Sequence, residues 1–158
     1  MILVVLGTHP QPMNRLLAHL DEMVDAGHIH EPVIVQAAVY DYAPRRLETL
    51  GILPHAALVE LIRAAEVVVS HAGPGSLATI RMEGRVPVVV PRSPRQAEHV
   101  DGHQERYAAR LRGQPGYIVP ADLNQLASAI ELARRASITT TPPDVSRAVH
   151  ALRELAGE

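Results

Sequence analysis

At 158 residues, 47% of them hydrophobic and with a formal net charge of −2, the chain has enough apolar material for one domain with a substantial core and too little length for two ordinary ones. It contains no Cys, which excludes disulfides, thiolate metal sites and thiol nucleophiles. All 15 basic residues are Arg, and with no Phe or Trp and four Tyr there is no platform on which bases could stack, so nucleic acid is not expected as a partner.

Residues 2–6 form a continuous apolar strand that runs into Gly7, Thr8 and a turn holding Pro10 and Pro12. Leu16, Leu17, Leu20, Met23 and Val24 then recur at helical spacing. A second strand is expected over 32–39, with a solvated HIH turn before it, and a weaker one near 47–53. Leu58, Leu61, Ile62 and Ala65 mark a helix starting near Pro54 and His55. A short buried strand over 67–69 follows, then a helix with Ser76 as its N-cap and Gly84 as its stop. Residues 86–90 form the next strand, with Pro87 near its start, where a missing N–H is tolerated. Two helices, over 123–135 and 145–155, close the chain on either side of a TTTPP breaker. The motif-bearing core is expected over 1–120 and the terminal helices over 121–158.

Strands that alternate with helices and run apolar without polar alternation indicate a parallel sheet covered on both faces, a single Rossmann-like α/β domain. No apolar run approaches the roughly 20 residues of a membrane span, and residues 1–6 are apolar without a charged leader or cleavage site, so neither a span nor an export signal is expected. In such a sheet the ligand lies beyond the carboxyl ends of the strands, which selects the loops 7–12, 70–76 and 92–104.

Gly73, Pro74, Gly75 and Ser76 follow a strand and open a helix, so backbone N–H groups and the helix dipole can face a phosphate. The same letters satisfy G-x-G-x-x-A, but they follow a middle strand and the first loop lacks the fingerprint, which argues against a dinucleotide. A glycine pair there can also serve only a tight turn. Gly7 and Thr8 can add amide and hydroxyl donors to that phosphate region, or form an ordinary turn. Arg92, directly after Pro91 at the end of a buried strand, is placed to aim a planar fork into the crevice, its alternative being a solvated pair with Glu98. Glu98, His99, His103 and Gln104 gather donors and acceptors suited to sugar hydroxyls. His99 and His103 stand four apart, a spacing that binds zinc on a helix; Gly102 interrupts that helix and HExxH is missing, so no metal is assigned. Ser76 lacks the G-x-S-x-G elbow of a nucleophile.

The segments VVLGTHPQPMNRLL, SHAGPGS and GRVPVVVPRSPRQAEHVDGHQ, in this order, resemble the glycosyltransferase family 28 C-terminal domain. More narrowly they resemble the donor-binding subunit of two-component bacterial exopolysaccharide glycosyltransferases and the catalytic subunit of the dolichol-linked N-acetylglucosaminyltransferase. The resemblance reaches to about Leu111 and implies the C-terminal half of a GT-B glycosyltransferase. It implies that Gly7, Thr8, Gly73, Gly75 and Ser76 hold the diphosphate of a UDP-sugar, that His103 and Gln104 bind the donor sugar, and that backbone around 52–55 reads uracil. Arg92, Glu98 and His99 match the PR and EHV elements of the exopolysaccharide subgroup. Thr79 falls where the related peptidoglycan transferase has a ribose-binding Glu, leaving Glu83 or Glu98 to supply a carboxylate. Met13 and Asn14 replace the usual Phe-Asp.

The implied partner is a membrane-anchored acceptor-binding glycosyltransferase subunit carrying the general base, with a polyprenyl-diphosphate-linked acceptor at the cytoplasmic face of the membrane. No cofactor or metal ion is expected in the transfer. The competing readings are a nucleotide-sugar-binding module without transferase activity and a zinc-dependent hydrolase built on His99 and His103.

Overall fold

A computed structural model describes residues 1–136; the helix expected over 145–155 lies outside them. Its elements are β1 (Ile2–Val5), α1 (Asn14–Asp25), β2 (Val33–Gln36), β3 (Glu48–Leu50), α2 (His55–Ala64), β4 (Val67–Ser70), α3 (Pro74–Met82), β5 (Val88–Val89), α4 (His103–Leu111) and α5 (Leu126–Ala136), with short 3-10 turns at Pro94–Gln96 and Leu123–Gln125. The strands form one parallel sheet in the order β3-β2-β1-β4-β5, in which Ile2 of β1 pairs with Val33 on one side and Val67 on the other.

The alternation of the pleat sorts β1 between two cores. Ile2, Val4 and Leu6 face a layer built with Leu16, Leu17 and Leu20 of α1 and Leu126, Ile130 and Ala133 of α5. Leu3 and Val5 face the opposite layer, where Leu61 and Ile62 of α2 and Ile80 of α3 pack. Both faces of the central strands are therefore dry, which is why β1, β2 and β4 read as nearly unbroken apolar runs, whereas the edge strand β3 is only half buried. The outer flank of β5 is covered in turn, since Val89 N–H donates to Ile118 O at 2.8 Å and Ile118 N–H to Pro87 O at 3.0 Å.

Several boundaries depart from expectation for local reasons. Strand β2 leaves the ladder early because Ala38 N–H bonds to Gly7 O, drawing the chain across the end of β1. The helix expected from Leu123 begins as a 3-10 turn, capped by Asp122 Oδ1 accepting from Asn124 N–H at 2.9 Å. In the HIH turn the two His are exposed, whereas Ile29 is buried in the core. Gly84 does stop α3, at φ +74°, where a side chain would be strained.

One buried acid organises the long β2–β3 connection. Asp21 of α1 accepts from Tyr42 Oη at 2.7 Å, Arg46 N at 2.8 Å and Arg45 N at 2.9 Å. Burial pushes its carboxyl up, but the bonds from Arg45, Tyr42 and Arg46 outweigh that and hold it below the usual aspartate value.

Candidate functional site

The sheet order creates a switch point between β1 and β4, because the chain leaves β1 toward β2 and leaves β4 toward β5 on the other side. Loops diverge there and leave a crevice at the carboxyl edge. The crevice is a cleft of about 600 Å³ lined by Gly7, Thr8 and His9 after β1, by Ile52, Leu53 and His55 before and within α2, and by His71, Gly73, Gly75, Ser76 and Thr79 after β4. That volume suits a small organic ligand. Its lining carries no Asp or Glu, so no carboxylate stands against an anion there.

The floor is α3. Its N-cap is Gly73 and not Ser76; Pro74 occupies the first turn, where its lack of an N–H costs nothing. Leu77 N–H already bonds to Gly73 O at 3.0 Å, which leaves the amides of Gly75 and Ser76 as the unpaired donors of the helix start. A Cβ on Gly75 would meet nothing within 4 Å, so the helix start faces open space at this residue. Thr79 stands one turn further along, its Oγ1 donating back to Gly75 O at 3.1 Å.

His71 is the residue that sequence reasoning missed. It lies at the end of β4 with only 8% of its surface exposed, and it lines the cleft. Arg92 N–H donates to Gln104 Oε1 at 3.1 Å, which turns the amide nitrogen of Gln104 toward His71 Nδ1 at 3.2 Å. Nδ1 is then the acceptor and Nε2 carries the proton, 3.3 Å from Ser76 Oγ. Burial, followed by the positive charge of Arg92, pushes the imidazole pKa down to about 4, so the ring is neutral at pH 7. A fixed N–H thus joins the amides of α3 at the same cleft. The two glycines beside it acquire a second meaning: a Cβ on Gly73 would fall 2.1 Å from His71 Cε1, and one on Gly7 3.0 Å from Nε2. Their missing side chains make room for this ring. The signal was a His directly between a buried strand and a glycine loop, read only as part of a motif.

The loop after β5 differs from expectation. Arg92 is 2% exposed, and its guanidinium donates to main-chain carbonyls: to Leu6 O at 2.9 Å, to Glu98 O at 3.3 Å and to Gln11 O. It ties the loop after β1 to the loop after β5 and does not present a fork to the crevice. Glu98 is buried too, with Oε1 2.8 Å from Arg15 Nε and Oε2 accepting from Ser93 N–H at 3.0 Å. Gln104 is committed to Arg92 and His71, and acts on the cleft through His71. His99 is buried against His9, ring centroids 4.4 Å apart, and only His103 of this group is half exposed. None of Arg92, Glu98, His99, His103 or Gln104 lines the cleft.

Neither Glu offered as a substitute for the ribose carboxylate reaches the cleft. Glu83 pairs with Arg63 Nε at 2.6 Å at the far end of α3, and Glu98 is held as described. The cleft also gains a buried group not foreseen, Gln36 at the end of β2, which accepts from Gly7 N–H at 3.3 Å and donates to Gly51 O at 3.4 Å. It couples the loop after β1 to the loop before α2.

The model of the glycosyltransferase family 28 C-terminal domain matches residues 1–136. The chain belongs to this family. Solved structures similar to it include two glycosyltransferases. The glycosyltransferase SnogD from Streptomyces nogalater is 16% identical with a TM-score of 0.52, over 99% of this chain and 42% of that one. Spinosyn forosaminyltransferase SpnP is 17% identical with a TM-score of 0.50, over 99% and 44%. At these identities the likeness concerns the fold, and the chain spans less than half the length of either. No curated protein matches it. The fold is a single α/β domain with a five-stranded parallel sheet, the architecture of the C-terminal half of a GT-B glycosyltransferase. No helix among the described residues is long and apolar enough to cross a membrane.

Proposed function

We propose that this family 28 domain binds the UDP-sugar donor of a GT-B glycosyltransferase and takes part in moving a hexose to a polyprenyl-diphosphate-linked acceptor, in exopolysaccharide or cell-surface glycan synthesis. The observation that carries the reading is the convergence of the α3 amides of Gly75 and Ser76 with the fixed Nε2–H of His71 on a cleft lined by no carboxylate. In this reading the acceptor oxygen attacks the anomeric carbon while the bond to the β-phosphate oxygen breaks. Negative charge growing on the departing UDP meets donors already in place, without a metal ion. Thr8 and Ser76 add hydroxyls, backbone around 52–55 holds the base, and Thr79 faces the ribose. Arg92 and Gln104 act as positioning residues for the loop and for His71.

The acceptor and the general base come, in this proposal, from a membrane-anchored glycosyltransferase subunit that recruits the domain to the cytoplasmic face of the membrane. A nucleotide-sugar-binding module without its own transferase activity is the second reading, favoured by Thr79 in place of a carboxylate. Titration calorimetry of the purified chain with UDP, GDP, UMP and uridine tests the donor site: UDP should bind best, and uridine at least about tenfold more weakly once the phosphate donors have no partner. Absence of binding by any nucleoside diphosphate would overturn the proposal. Binding that never leads to transfer with any candidate partner would leave the second reading standing.

A further inference from the structure

We propose that His99, Asp101 and His103 form a site for one divalent transition-metal ion of the zinc class, beside the donor cleft and separate from the phosphate donors. The inference is independent of the transferase reading. One ligand atom from each of the three residues lies within 4.8 Å of the others. His99 Nδ1 and His103 Nδ1 both approach Asp101 Oδ1, at 3.5 and 2.5 Å. Metal–ligand bonds of about 2.0–2.1 Å in a tetrahedron place ligand atoms about 3.3 Å apart, so the His99–Asp101 separation already fits. The His103 contact must open by less than about 1 Å, within reach of a half-exposed side chain at the start of α4.

The objection from the sequence was that Gly102 breaks a helix between the two His. The geometry removes it, because the ligands do not share a helix. His99 lies in the loop before α4, Gly102 caps that helix and His103 opens it, so a His-x-Asp-x-His segment folds back on itself. His99 is 8% exposed and packed against the His9 ring at 4.4 Å, which holds one imidazole ready. The His103 ring stands edge-on to His99 at 4.4 Å. Two imidazoles and a carboxylate form a ligand set that suits zinc and leaves a fourth position for water.

Two contacts give way when the ion binds. Asp101 N–H releases the His99 Nδ1 lone pair it holds at 3.3 Å, and the His103 Nδ1 proton, now donated to Asp101, moves to Nε2.

The full chain, stripped of metal with a chelator, should take up one equivalent of Zn²⁺ in calorimetry, and Co²⁺ should give the visible absorption bands of a low-symmetry, nitrogen-ligated ion. Asp101→Asn and His103→Ala should each weaken Zn²⁺ binding at least about tenfold. Both positions are exposed, so these variants should fold, which circular dichroism checks. The paired change His28→Ala and His30→Ala, which removes two exposed histidines elsewhere on the surface, should leave binding unchanged. No saturable uptake, uptake that survives Asp101→Asn and His103→Ala, or uptake abolished by the His28 and His30 changes would overturn the site. UDP titrated in parallel reports on the donor cleft separately.

Discussion

The start of α3 after β4 leaves amide donors facing open space, whereas the loop after β5 buries Arg92, Glu98 and Gln104 against protein groups. Gly75 and Ser76 present unpaired amides to the cleft, while Arg92, Glu98 and Gln104 are each almost fully buried and bonded to protein groups. Both segments carry polar residues, the loop over 92–104 more of them. The difference teaches that polar density at a sheet edge marks two things at once: groups that touch a ligand, and groups that hold the first set in place. Exposure and prior hydrogen bonding separate them.

The largest effect that could break this comparison is expected at Arg92. Arg92→Ala leaves three main-chain carbonyls without their buried donor and should destabilise the protein by about 3 kcal/mol in urea unfolding. If Arg92 were instead a phosphate contact, the variant would keep parental stability and lose only UDP affinity. A similar effect, now dependent on pH, is expected from His71. Its folded pKa of about 4 lies below the ordinary value of 6.5, so the unfolded chain binds a proton that the folded one refuses. The neutral ring's contribution is complete above pH 6.5 and is lost as pH falls toward 4, a decline of roughly 3 kcal/mol. His71→Asn should flatten the stability profile over that window, and an unchanged slope would show that the ring is not held neutral.

Much of the fold was legible. The apolar runs gave β1, β2, β4 and β5, β3 being read only as a weaker strand near 47–53, and the spacing of Leu16, Leu17 and Leu20 gave α1 with the face it buries. The cleft was legible to the extent that it is made of backbone: Gly7, Thr8, Gly73, Gly75, Ser76 and Thr79 all line it. Ser76 was misplaced as a cap because Pro74 permits the helix to begin earlier. The loop over 92–104 was not legible, because the direction of a long polar side chain is set by distant partners. Arg92 bonds to Leu6 O, 86 residues away, and no local pattern announces that. His71 was hidden for the same reason, its tautomer depending on a chain of bonds through Gln104 to Arg92 N–H.

The central claim, that the start of α3 receives the donor diphosphate, is tested most directly at Gly75. A Cβ there meets no protein atom within 4 Å, so Gly75→Ala should leave stability within about 1 kcal/mol of the parent or raise it. The same methyl would stand where the phosphate must approach, and UDP affinity by calorimetry should fall at least about tenfold, or about 1.4 kcal/mol. Parental UDP affinity in a fully folded Gly75→Ala protein would contradict the account.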